Sequence, residues 1–221
     1  MANNGDLGKK VQAYLKELGI ETPTKEHILP TRYGPALVAT EDAATHLLQA
    51  LRLDTDDDSM KGTAKRLAKM YVEELFWGLD YSKFPDCTEV ANKMKYEEMV
   101  VRDGIDVKSM CEHHFLPIVG RATVAYLPKD KVLGLSKMDR IVDFFSRRPQ
   151  VQERLTEQIA ATLMLVLGTE NVAVVIRAQH FCVSHRGVQG SDSTTITSRL
   201  HGKFFTVDSL RAEFLALTRK G

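Results

Sequence analysis

The segment from Asn171 to Val183 constrains the fold more than any other, because it reads as one strong β-strand carrying chemistry at its far end. Side chains repeat every two residues along a strand, so Val172, Val174, Ile176, Ala178, His180 and Cys182 are expected on one face. Arg177, Gln179 and Phe181 point the other way. The apolar part of that face needs a core, and the imidazole and thiol that end it need a pocket.

The elements around this strand decide the fold class. From about residue 97 the pattern is that of strands, with Val100, Val101, Ile105 and Val107 before the run Cys111-Glu112-His113-His114, and Ala122 to Leu127 after it, closed by Pro128. Two helices follow, from about 136 to 147 and from about 149 to 167, the second with Pro149 at its first position and Gly168 just past its end. A closing helix is expected from Asp208 to Lys220. Strands, two helices, a strand and a helix in that order make an α+β fold.

The N-terminal third is helical instead. Leu7, Val11, Leu15 and Leu18 recur at helical spacing, and Gly19 stands at the stop. Residues 22 to 35 hold Pro23, Pro30 and Pro35 and read as an extended connector. Thr40 is expected to cap a second helix with Leu47, Leu48 and Leu51 on one face, and Thr63 a third with Leu67, Met70, Tyr71 and Leu75. The division is an arm and connector over 1–57 and a catalytic α+β domain over 58–221. The acidic run Asp54 to Asp58 fails as a calcium loop, because Ser59 and Lys65 stand where glycine and glutamate belong. It reads as a solvated loop.

Composition excludes several classes. At 221 residues, 43% hydrophobic and 27% charged, the chain fills a sizeable core. It has no apolar run of roughly 18 residues to span a bilayer and no signal-like start, so a cytoplasmic location is expected. A net charge of +1 offers no global field for a nucleic acid. Three cysteines are too few for a disulfide framework, which leaves metal binding or packing as their use. Cys87 has no partner motif and reads as structural.

Cys111 and His114 have the three-residue offset at which a turn can offer both side chains to one ion, and Cys182 adds a distant thiolate. Two sulfurs and an imidazole suit zinc, and three protein ligands leave a fourth position for water. A closed structural site completed by His113 or His180 is the alternative.

Gly134-Leu-Ser-Lys-Met-Asp-Arg140 is the second informative stretch. Ser136 can cap a helix, Asp139 stands at capping-box spacing, and Lys137 and Arg140 put cations beside free backbone N–H groups. The result is an anion site, or a plain capped helix with solvated cations. Arg66, Lys69 and Arg186 are further phosphate candidates, and there is no P-loop.

Taken together, Cys111-Glu-His-His-Phe115, Gly134-Leu-Ser-Lys137 with Arg140-Ile-Val142, Arg148-Pro-Gln-Val-Gln-Glu-Arg-Leu155 and His180-Phe-Cys182 with Arg186-Gly187 resemble the motif set of GTP cyclohydrolase I. The resemblance runs from about Asp58 to the C-terminus. Ala64 departs from it, standing where that family often has proline. What it implies is a tunnelling fold, an antiparallel sheet backed by two helices, assembled as a toroidal homodecamer with active sites at subunit interfaces. It also implies conversion of GTP and water to 7,8-dihydroneopterin triphosphate and formate, the entry to folate- and pterin-type cofactors.

By that resemblance one zinc per subunit is held by Cys111, His114 and Cys182, and its bound water attacks C8 of guanine. His113 is the general acid/base at the ring nitrogen, His180 serves ribose opening, and Ser136 assists the later rearrangement. Gln152 and Glu153 read the guanine. Lys137, Arg140 and Arg186 hold the triphosphate, helped by Arg66 and Lys69, which in that family can come from a neighbouring subunit. Two other classes remain open on the residues alone: another zinc hydrolase of a nucleobase, against which the His-x-Glu and Pro-Cys-x-x-Cys elements are missing, and a non-catalytic binder with a structural metal.

Overall fold

A computed structural model describes residues 3–25, 33–188, 190 and 193–218. The chain begins with α1 (Gly5–Glu17), α2 (Tyr33–Ala50) and α3 (Thr63–Lys69), the last running on as a π-helical turn, Met70–Leu75. Two short 3-10 turns lead to β1 (Glu89–Ala91), β2 (Val100–Cys111), β3 (Pro117–Tyr126) and β4 (Lys131–Leu133). Then come α4 (Leu135–Ser146), β5 (Pro149–Gln150), α5 (Gln152–Leu167), β6 (Val172–His180), α6 (Phe181–Ser184), β7 (Thr195–Leu200), α7 (Lys203–Thr206) and α8 (Asp208–Leu217).

The main sheet has the order β5-β2-β3-β6-β7. Its long pairings are antiparallel, whereas β5 joins β2 in parallel through Met110↔Pro149 and Cys111↔Gln150, so the sheet is mixed. One face carries Ile105, Val107, Ile118, Ala122, Val124, Val172, Val174 and Ile176, packed under α4 and α5 through residues such as Met138, Phe144, Phe145, Leu155 and Ile159. Val11 and Leu15 of α1 lie in this same core, fully buried. Phe144 is its aromatic hub, with ring centroids 5.0 to 5.9 Å from Phe84, Phe145, Tyr81 and Trp77. Such pairs contribute about 0.5–1.5 kcal/mol each beyond area burial. The other face buries Ala125, Ala173 and Val175 against Phe204 and Phe214. The strand expected at 171–183 is therefore buried on both faces.

Several element ends differ from expectation. Gly19 and Gly168 do close α1 and α5, at φ of 68° and 64°, where a side chain would be strained. Thr40 caps nothing: α2 starts seven residues earlier, and the Thr40 hydroxyl donates to Ala36 O inside the helix. Part of the proline connector, residues 26–32, lies outside the described residues. Gly62 takes the cap position of α3, so Thr63 is its first residue. At α4 the cap is Gly134, with no side-chain bond; Ser136 sits exposed within the first turn. Asp139 is not a capping-box partner, because Arg102 holds both its oxygens at 2.9 Å. Pro149 belongs to β5, and α5 begins only at Gln152. Among the described residues no helix is long and apolar enough to cross a membrane.

Candidate metal centre and active site

Four chain segments meet at one end of the sheet. β2 ends at Cys111, and residues 112–116 turn the chain back into β3, closed by bonds from Cys111 N to Leu116 O and from Phe115 N to Cys111 O. Phe115 takes φ 52°, a left-handed conformation costing a bulky residue on the order of 1 kcal/mol. Its ring offsets that by packing on Tyr71 and Phe76. β6 arrives alongside, pairing His180 with Ile118, and β5 pairs Gln150 with Cys111 just before α5 opens.

The ligand atoms of Cys111, His114 and Cys182 all lie within 4.8 Å of one another. A zinc ion about 2.3 Å from each sulfur sets tetrahedral ligand atoms roughly 3.8 Å apart, so this set fits with a small closure. Cys111 is buried, Cys182 half-buried and His114 exposed. Burial raises the Cys182 thiol pKa, and the neighbouring Cys111 raises it further. A dication beside both sulfurs would reverse that shift. The route to Cys182 corrects the strand reading: β6 stops at His180, and a single helical turn, α6, carries the thiol.

His113 is largely exposed, with Nδ1 3.9 Å from Cys111 Sγ and Nε2 3.9 Å from Glu112 Oε1. Glu112 is gripped by Arg154, whose Nη1 and Nη2 donate to its two oxygens at 2.5 and 3.4 Å. Glu112 N also donates to Gln150 O, so the turn is fixed to α5 and to β5. Arg186 donates from Nη1 to His114 Nε2 at 3.0 Å, bringing one expected phosphate cation to the metal end. His180 has its pKa lowered by burial, opposed by the charge of Glu153. Glu153 is exposed at the first turn of α5, as a purine reader needs.

Gln152, expected as a guanine reader, is turned inward. It is 1% exposed, and its Nε2 donates to Ile176 O, Thr195 O and Thr197 Oγ1, each at 3.1 Å. Its Oε1 lies 2.8 Å from His180 Nε2. The carboxamide is thus committed inside the chain.

The basic helix start lies elsewhere. Arg102, the partner of Asp139, is near the beginning of β2, and nine residues, about 30 Å of strand, separate it from Cys111. Ser136, Lys137 and Arg140 therefore stand toward the opposite end of the sheet from the metal cluster. Their neighbour there is Cys87, whose thiol burial pushes up to about 12 despite the two cations. Arg66 donates to Lys61 O and Thr63 Oγ1 of its own helix start, and Lys69 is exposed on the same helix.

The residue pattern alone missed two supports. One is the Arg154 grip on Glu112. The other is Arg148, fully buried, which donates to Gly78 O, Tyr81 OH, Glu21 and Thr22 and lies over the rings of Tyr81, Phe144 and Phe145. Both arginines sit in the run Arg148 to Leu155, where three polar residues beside the expected readers were the available signal.

Fold and site define the chain as an α+β metalloenzyme with an open three-ligand centre and imidazoles beside it. The family model for GTP cyclohydrolase I matches residues 40–219. The chain is 50% identical to GTP cyclohydrolase 1 of Serratia proteamaculans over 209 residues, 95% of this chain and 94% of that one. It is 50% identical to that of Erwinia tasmaniensis over 219 residues, 99% of each, and to that of Escherichia coli O1:K1 over 203 residues, 91% and 90%. The chain belongs to the GTP cyclohydrolase I family.

Proposed function

We infer that the protein is a GTP cyclohydrolase, converting GTP and water to 7,8-dihydroneopterin triphosphate and formate. The observation that carries this is the convergence of Cys111, His114 and Cys182 within 4.8 Å, beside His113 and His180. Those three residues would hold zinc, whose Lewis acidity lowers the pKa of water enough to make it a nucleophile at neutral pH.

The chain's own groups supply the rest. His113, exposed and two residues from Cys111, can give a proton to the guanine ring nitrogen as C8 becomes tetrahedral. Glu153, an exposed carboxylate, accepts hydrogen bonds from the purine N–H groups and so holds C8 in place. His180, its pKa lowered by burial against the opposing charge of Glu153, serves opening of the ribose ring. Arg186 brings positive charge to the metal end for the triphosphate. Lys137 and Arg140, with Ser136 for the later rearrangement, come from the basic end of a second copy, because about 30 Å of β2 separates the two ends within one chain. Arg66 and Lys69 join them from a neighbouring copy. The assembly proposed is a toroidal decamer with sites at subunit interfaces.

The test is direct. Zinc-loaded protein given GTP is expected to release formate in step with the pterin chromophore. GTP binding with neither product overturns the enzymatic reading.

A further inference from the structure

Gln152 and Glu153 are consecutive at the start of α5, yet they face different surroundings. Glu153 is exposed, whereas Gln152 is buried with partners at both ends of its carboxamide. Two of the three groups around its Nε2 are the carbonyl oxygens of Ile176 and Thr195, which can only accept. The nitrogen must lie on that side, since the reversed amide would set Oε1 against both carbonyls. Oε1 therefore faces His180 Nε2 at 2.8 Å. An amide oxygen only accepts, so the imidazole nitrogen there carries the proton.

The frame around this contact is rigid. Thr156 Oγ1 donates to Gln152 O at 2.8 Å and lies 2.7 Å from Thr197 Oγ1, tying the first turn of α5 to β7. Turning the amide over would set its oxygen against the carbonyl oxygens of Ile176 and Thr195, so this orientation is held. In histidines generally, the partner of one ring nitrogen sets what the other can do.

We propose that Gln152 is a positioning residue that holds His180 in the tautomer protonated at Nε2, so that Nδ1 is the nitrogen presented to the substrate. The proposal rests on the reading of His180 as the group that serves ribose opening. The two neighbours then have different roles, in that Glu153 touches the substrate and Gln152 acts through His180.

The experiment is ¹⁵N NMR of the full-length, zinc-loaded protein with labelled histidine, His180 being assigned by its loss in His180→Gln. The wild-type spectrum is expected to show the Nε2–H form. An Nδ1–H form overturns the proposal, and this arm stands whether or not any Gln152 variant folds. In Gln152→Met the His180 signals should shift to a mixture of tautomers, with zinc retained. Its kcat should fall about 10- to 100-fold, the range for groups that orient a functional imidazole, while KM for GTP changes little. A raised KM with unchanged kcat would make Gln152 a purine contact and overturn the proposal. A wild-type protein that showed the Nε2–H form but released no formate from GTP would overturn the enzymatic reading and leave the tautomer assignment supported.

Discussion

The two ends of the central sheet are built differently. At the metal end, Cys111, His114, Cys182, His180 and Glu153 come from β2, its turn, α6, β6 and α5 of one chain, and the groups that steady them come from the same chain. At the other end, Ser136, Lys137 and Arg140 stand at the start of α4, with Asp139 held by Arg102 and, among the described residues, no metal-ligand cluster beside them. One end gathers ligands and imidazoles; the other sets Lys137 and Arg140 beside Cys87, with Asp86 and Glu89 also near it. On the proposed assembly, the cations of α4 would meet the metal end of a second copy, whereas Arg186 already stands at the metal end of its own.

The harshest way to break the comparison is at the metal end. Cys182→Ser should lose zinc and formate release together while the fold persists, because α6 presents little else to the core. His113→Ser should keep the zinc, measured by elemental analysis, and still lose formate release. Loss of zinc from His113→Ser would remove the distinction between ligand and proton carrier.

Mixing tests the division directly. Cys182→Ser chains and Lys137→Ala/Arg140→Ala chains should each be nearly inactive at limiting GTP. Co-expressed, they should recover activity approaching about a quarter of wild type, since sites built from two copies can draw one intact half from each. No recovery would mean that both halves serve within one chain.

A smaller effect probes the support of the metal turn. Arg154→Met frees Glu112, and zinc affinity should fall about 10- to 100-fold in competition with a chelator. KM for GTP at saturating zinc should hardly change, because the basic end is untouched.

The smallest effect belongs to the basic end. His201, whose backbone pairs with Val172, has its pKa lowered by burial and then by Arg199, with Glu157 and Glu170 opposing. A lowered folded-state pKa means that the unfolded chain binds more protons once pH drops below about 6.5, so this contribution is present above that pH and lost as pH falls through the folded value. The thermal midpoint of wild type should therefore fall slightly faster between pH 7 and 5 than that of His201→Gln. The difference should be about 1 °C or less, as the ring is half exposed.

Much of this was legible in the chain. The period-two run from Val172 as far as His180, the Cys-Glu-His-His turn between two strands and the glycines at 19 and 168 each act locally and came out where the pattern put them, whereas Cys182 left the strand for α6. Caps were less legible. Thr40, Thr63 and Ser136 all have the right chemistry, but neighbouring residues took the cap positions, and Thr40 was absorbed by a helix that starts upstream.

By itself the sequence determined the α+β order and put Cys111 and His114 on one turn between two strands, because a three-residue offset along a turn is enough to bring two side chains together. Only the tertiary structure decided that Gln152 turns inward to His180, that Arg154 and Arg148 are supports, and that the cations of α4 lie far along β2 from the zinc ligands. The physical reason is that a side chain's partner across the fold depends on strand register and helix direction, which no local pattern encodes.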